Sequence, residues 1–247
     1  MKFDKPVPVY CKPLRRKMTA IGAYVADING EPSLIGIYDD LIPNFAAFLN
    51  DRVKADNQNV IGVIGPTNSG KSTVSIQLSR AQDRDFRFDT DYLYSLADFR
   101  EKLAHPLGYG SKINLFDEGT LAWSSARANT REARDALGIF DTCRLFHWTS
   151  IICSPGGTRR LNHALVIDHM DYMLLMPSRS LERGILNRAK GWVEIYAKKS
   201  LTWGDPYFYP IAAGTFDDLP PRVRKEYDAI KYRHAVELKN QVAEGNE

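Results

Sequence analysis

Apolar residues along this chain follow two rhythms, and the change from one to the other marks its elements. Residues 20–28 and 34–38 read as strands, and the turn-forming Asn-Gly-Glu-Pro-Ser at 29–33 joins them as a hairpin. From Pro43 the spacing becomes helical, with Phe45, Phe48 and Leu49 on one face of a helix predicted through Lys54. Strands are then predicted at 60–64, 86–88, 112–116, 149–153 and 171–176. Helices are predicted after residue 70, at 92–103, and from Asn129 to about Arg144, the last with the capping-box spacing of Asn129 and Glu132. Strands alternating with helices predict an α/β fold around a mostly parallel, buried sheet. The aromatic-rich segment 191–209 reads instead as antiparallel strands added at an edge. Leu219, Pro220 and Pro221 introduce a final helix, whose interrupted stripe of Tyr227, Ile230, Ala235 and Leu238 suits docking or subunit contact. The chain divides into a hairpin-plus-helix extension (1–58), a core (59–215) and a C-terminal helical tail (216–247).

The turn after the 60–64 run carries chemistry. Gly65, Pro66, Thr67, Asn68, Ser69, Gly70, Lys71, Ser72 and Thr73 complete the pattern G-x-x-x-x-G-K-[ST] between a strand and a helix. Its glycines let backbone N–H groups curl around a phosphate, and the following helix directs its positive end at the same oxygens. Lys71 is expected to reach the β and γ phosphates of a nucleotide and Ser72 to ligate Mg²⁺, while Thr73 packs or caps. The expected cofactors are ATP and Mg²⁺. The 1–58 extension is then either a subunit contact or a lid over the nucleotide.

Composition narrows the class. At 247 residues, 44% apolar and 26% charged, the chain can build one well-buried α/β domain with an appendage. No apolar run approaches the length of a membrane span and the first residues lack a signal-peptide core, so a cytoplasmic protein without membrane insertion is expected. Cys11, Cys143 and Cys153 have neither disulfide nor zinc spacing and read as buried thiols. The net charge of +3 is small but uneven. Residues 1–17 set six cations against Asp4, and residues 178–200 set six against Glu182 and Glu194, as a phosphate backbone or an ordinary solvated surface would suit.

The strand at 113–116 runs into Asp117 and Glu118. Asp117 is placed to complete the magnesium shell, and Glu118 to orient or deprotonate the water that attacks a γ phosphate. Phosphate transfer to another substrate requires that water be excluded, whereas Glu118 recruits it, so hydrolysis is favoured over a kinase. Ser154, ending the 149–153 strand, is a candidate sensor of the γ phosphate or the water. His105, His147, His163, His169 and His234 show no metal or triad spacing.

Residues 65–72 together with Leu115, Phe116, Asp117 and Glu118 resemble the P-loop ATPases that carry an additional central strand and a catalytic glutamate. The Asp117-Glu118-Gly119 turn, Arg127, Arg131, Arg134, the helix to Arg144 and the strand into Ser154 and Pro155 resemble its FtsK/HerA branch, which includes DNA pumps, viral genome-packaging ATPases and Zot-like phage proteins. The resemblance spans about 59–200, with Gly119 where alanine is usual and Ser154 where many members carry glutamine. It implies a P-loop NTPase three-layer sandwich and a homo-oligomeric ring that moves or packages DNA, encoded by a virus or mobile element with assembly partners of its own and located in host cytoplasm or virion. It also implies an arginine reaching the neighbouring subunit's γ phosphate, with Arg144 and Arg127 as candidates, Arg159 and Arg160 behind them, and the 156–160 loop touching nucleic acid in a central channel. Two other readings stand beside the motor: an ATP-gated loader or switch, and a nucleotide or metabolite kinase.

Overall fold

The computed structural model of the chain describes residues 22–28, 31–39, 41–104, 111–119, 123–127, 146–176, 191–199 and 206–244, with scattered positions between 130 and 140. The hairpin forms as β1 (Gly22–Ile28) and β2 (Glu31–Tyr38), paired antiparallel, and is followed by α1 (Leu41–Lys54). The phosphate-loop unit is β3 (Asn59–Gly65) and α2 (Lys71–Gln82). Next come a single helical turn, α3 (Phe88–Asp91), the two-residue strand β4 (Tyr92–Leu93), α4 (Leu96–Ala104) and β5 (Ile113–Phe116). Strands β6 (Thr149–Pro155), β7 (Tyr172–Leu175), β8 (Gly191–Lys199) and β9 (Tyr207–Phe216) lead to the last helix, α5 (Pro221–Glu244).

All nine strands join one sheet in the order β1-β2-β9-β8-β7-β3-β6-β5-β4. Five of the eight neighbouring pairs are parallel, and the antiparallel ones involve β1–β2 and β8 with its two neighbours. The central strands are apolar at successive positions because both of their faces are covered. On one face Ile61, Val63, Leu115 and Ile151 pack with Phe45 and Leu49 of α1, Val74 and Leu78 of α2, and Val223 and Tyr227 of α5. On the other, Val60, Ile64, Phe116 and Ile152 pack with Phe99 of α4, Trp123, Phe140 and Leu165. That is a three-layer α/β sandwich with a mostly parallel sheet. Each large apolar side chain so buried contributes roughly 1.5–3 kcal/mol. No helix among the described residues is long and apolar enough to cross a membrane.

Several expectations are corrected. Residues 86–88 form no strand: the Asp91 carboxylate accepts the Arg87 N–H at 2.7 Å and winds this segment into α3, while Phe86 and Phe88 meet edge to face in the core. The edge strand is β4, two residues pairing with Leu115 and Phe116. The helix expected from residue 92 therefore begins at Leu96, where Ser95 and Asp98 cap reciprocally. Asp98 N–H donates to Ser95 Oγ at 3.1 Å, and Ser95 N–H donates back to Asp98 Oδ2 at 2.8 Å. Strands β8 and β9 do not end the sheet, because β2 pairs with β9 through Ile37 with Ala213 and Tyr38 with Gly214. The N-terminal hairpin thus continues the sheet beyond them. Of the helix predicted from Asn129 to Arg144, the described positions between 131 and 140 are helical, and the remainder lies outside the described residues.

Candidate functional site

The site begins where β3 stops. Gly70 has φ of +93°, the left-handed region open to glycine, and a Cβ there would stand 2.9 Å from the Phe216 ring. That turn lets α2 start at Lys71 with no side-chain cap, so its first backbone N–H groups are left for a ligand. Lys71 folds across the loop, its Nζ donating to Pro66 O at 2.6 Å. Burial pulls its pKa below the ordinary lysine range, with Cys153, Asp117 and Glu118 acting in the other direction. Ser69 Oγ is buried without a hydrogen-bond partner inside the loop.

Strand β6 lies between β3 and β5, and β5 delivers Asp117 to the mouth of the same cleft. The cleft measures about 410 Å³, within the roughly 300–1,000 Å³ of small-molecule sites. Thr67, Asn68, Gly70, Lys71, Ser72 and Thr73 line one side, and Asp117 and Glu118 another. Gly65, Pro66 and Ser69 form the loop behind that wall.

Asp117 is the most heavily engaged residue. Its Oδ2 accepts from the Tyr92 hydroxyl at 2.6 Å and the Tyr227 hydroxyl at 3.0 Å, and faces Lys231 Nζ at 3.4 Å. Its Oδ1 is buried and has no hydrogen-bond partner among the described residues. A carboxylate oxygen held ready in this way, with the Ser72 hydroxyl lining the same cleft, is a hard-oxygen pair of the kind Mg²⁺ selects, so these residues fit that ion. Burial and then Asp117 raise the pKa of Tyr92 and of Tyr227, which keeps both phenols protonated as donors. Glu118 is more open, with 40% of its side chain exposed, and its Oε1 lies 3.7 Å from Lys231 Nζ. Burial alone lowers the Lys231 pKa, but Asp117 and Tyr227 outweigh it and raise it.

Tyr92, Tyr227, Lys231 and Arg224 are site residues that the sequence did not disclose. Arg224 pairs with Asp218 and reaches Thr73 Oγ1 at 3.4 Å. For Tyr92 the clue was its place on the strand beside β5; for the α5 residues only the i, i+4 spacing of Tyr227 and Lys231 was available.

The other candidates fare differently. Ser154 does not line the cleft, and its hydroxyl donates to Gly157 O at 3.1 Å. Alternation along β6 gives the Asp117-facing position to Cys153, whose thiol meets Ser75 Oγ at 3.1 Å. Burial pushes that thiol well above its ordinary range, and Asp117 adds to the shift. Arg127 ends a short 3₁₀ turn, Ser125–Arg127, and Arg144, Cys11, Cys143 and much of both basic clusters lie outside the described residues. Arg159 and Arg160 are exposed on the turn Thr158–Arg160 that follows β6. His234 stacks on Tyr94 at 3.4 Å between ring centroids.

No family model and no curated protein matches the chain. Among solved structures, a KaiC-like protein from the hyperthermophilic archaeon Pyrococcus horikoshii OT3 is similar over 64% of this chain and 89% of its own length, at 10% identity. The TM-score is 0.32, at which the likeness says nothing about the chemistry of the cleft.

Proposed function

We propose that the cleft binds a magnesium nucleoside triphosphate, taken as ATP, and hydrolyses its terminal phosphate. The observation that carries this reading is the convergence of the Lys71 loop with Asp117 and Glu118 in one cleft. The free N–H groups at the start of α2 hold the phosphates, and Lys71 leaves Pro66 O to neutralise the β and γ oxygens. Ser72 and Asp117 would hold the magnesium ion, which when bound would offset charge on the β and γ phosphates. Glu118 accepts a proton from water as the water oxygen bonds to the γ phosphorus; the bond to the bridging oxygen breaks, giving ADP and inorganic phosphate.

Glu118→Gln tests the assignment, because the amide keeps the shape and cannot take the proton. ATP binding is expected to persist while turnover falls by roughly 10²–10⁴-fold, the usual contribution of a general base. Binding without any loss of turnover rejects Glu118 as the base.

The work coupled to hydrolysis is, in this proposal, movement or packaging of DNA by a homo-oligomeric ring. The exposed Arg159 and Arg160 beside the β6 end of the cleft support it, as does the uneven basic charge. Arg127 and Arg144 remain the proposed residues reaching a neighbouring subunit. The ATP-gated switch is a second reading with an observation of its own: Tyr227 and Lys231 of the last helix already hold Asp117, so a ligand at that carboxylate acts on α5. Glu118 argues against a kinase, which a phosphorylated small-molecule product would establish.

A further inference from the structure

Lys231 stands where a simple phosphate loop has no need of a lysine. It lies one helical turn beyond Tyr227, so both side chains leave α5 on the same side and line the cleft that Lys71 also lines. Its Nζ is 3.4 Å from Asp117 Oδ2 and 3.7 Å from Glu118 Oε1, placing one ammonium against the two carboxylates that the proposed hydrolysis employs. The two oxygens of Asp117 are treated differently. Oδ2 takes Tyr92, Tyr227 and Lys231, whereas Oδ1 is buried with no hydrogen-bond partner among the described residues.

We propose that Lys231 is a triphosphate-sensing residue supplied from within the chain: it holds the Asp117–Glu118 pair when the cleft is empty and transfers to the terminal phosphate when a metal-bound triphosphate enters. This inference rests on the nucleotide reading above. A divalent cation held by Ser72 and Asp117 would offset the negative charge that attracts Lys231 and so release its ammonium. The terminal phosphate, held between Lys71 and Glu118, then presents strong acceptor oxygens to the displaced ammonium. A diphosphate ends one phosphate short and leaves Lys231 with the carboxylates. Discrimination between the two nucleotides therefore passes into α5, which is anchored nearby by Arg224 on Asp218 and by the Tyr94 hydroxyl donating to Ile230 O at 3.3 Å.

The test compares the parent with Lys231→Met and Lys231→Arg, using a non-hydrolysable fluorescent ATP analogue and fluorescent ADP, each with Mg²⁺. Because 44% of the Lys231 side chain is exposed, Lys231→Met is expected to fold, which its thermal melt verifies. Lys231→Met is expected to weaken triphosphate binding roughly tenfold or more, the size of one charge-assisted hydrogen bond, and to change diphosphate binding by less than about twofold. Lys231→Arg is expected to retain the preference. Hydrogen exchange in α5 is expected to slow with the triphosphate in the parent and not in Lys231→Met. Unchanged binding of both nucleotides by Lys231→Met, or an equal loss of both, overturns the inference while leaving nucleotide binding standing. Failure of the parent to bind either nucleotide overturns the inference and the nucleotide reading together.

Discussion

Gly119 shows how a single position follows from its neighbours. A Cβ there would lie 2.5 Å from Ile152 Cγ2 and 2.6 Å from Cys153 O, so the alanine usual in the resembling family has no room beside β6. Gly119→Ala is expected to cost about 1–3 kcal/mol, the range of an overpacked core, read as a lower urea midpoint. Lys102 makes the opposite case, a charge in the interior kept there by its partners. It is 1% exposed and donates to Asp91 Oδ1 at 2.6 Å and to Ile113 O, with its ammonium over the Trp148 ring at 5.5 Å. Lys102→Met leaves the buried Asp91 carboxylate uncompensated and is expected to cost about 3–5 kcal/mol in chemical denaturation, with Asp91→Asn in the same chain recovering part of the loss. Lys71, Ser72, Asp117 and Glu118 were legible as site candidates because their chemistry is carried by local spacing. Tyr92, Cys153, Tyr227 and Lys231 were not, since nothing local distinguishes a tyrosine, cysteine or lysine that faces Asp117 from one that faces solvent or core.

At the scale of elements, helices and strands with strong periodicity were legible, and the short ones around residue 90 were not. A two-residue β4 has no period to detect and exists because β5 offers it a ladder. The start of α4 was written in Ser95 and Asp98, a spacing that local side-chain bonding turns into a helix start. Ser95→Ala is expected to cost about 1 kcal/mol, measured by urea denaturation, because Asp98 N–H loses its acceptor. The last helix is the element whose meaning changed most. Its interrupted apolar stripe predicted docking or subunit contact: Tyr227 is buried in the core and Ile230 packs against it, whereas Ala235 is exposed and the Leu238 side chain lies outside those described; Tyr94 stacks on His234. What the stripe could not disclose is that the same docking carries Tyr227 and Lys231 to the acidic pair. Its outer face keeps Tyr232 and Val236 exposed, at 74% and 40%.

For the whole molecule, the proposed coupling of hydrolysis to DNA has a direct measure. Double-stranded DNA is expected to accelerate ATP turnover at about 50 mM salt and to lose most of that effect by about 200 mM, since contacts with the phosphate backbone release counterions. A turnover rate indifferent to DNA at low salt leaves the nucleotide site intact as a proposal and removes the motor. The alternation of strands and helices, the phosphate loop and the acidic pair were determined by the sequence, because each depends on residues within a few positions of one another. Tertiary structure decided the rest: that β6 separates β3 from β5, that β2 pairs with β9 and makes the N-terminal hairpin a continuation of the sheet, and that α5 crosses to Asp117. Those contacts join residues from 25 to more than a hundred positions apart, as in Tyr92 and Tyr227 with Asp117. Their geometry is set by how two apolar faces of one sheet are covered, a condition on the whole chain that no local pattern records.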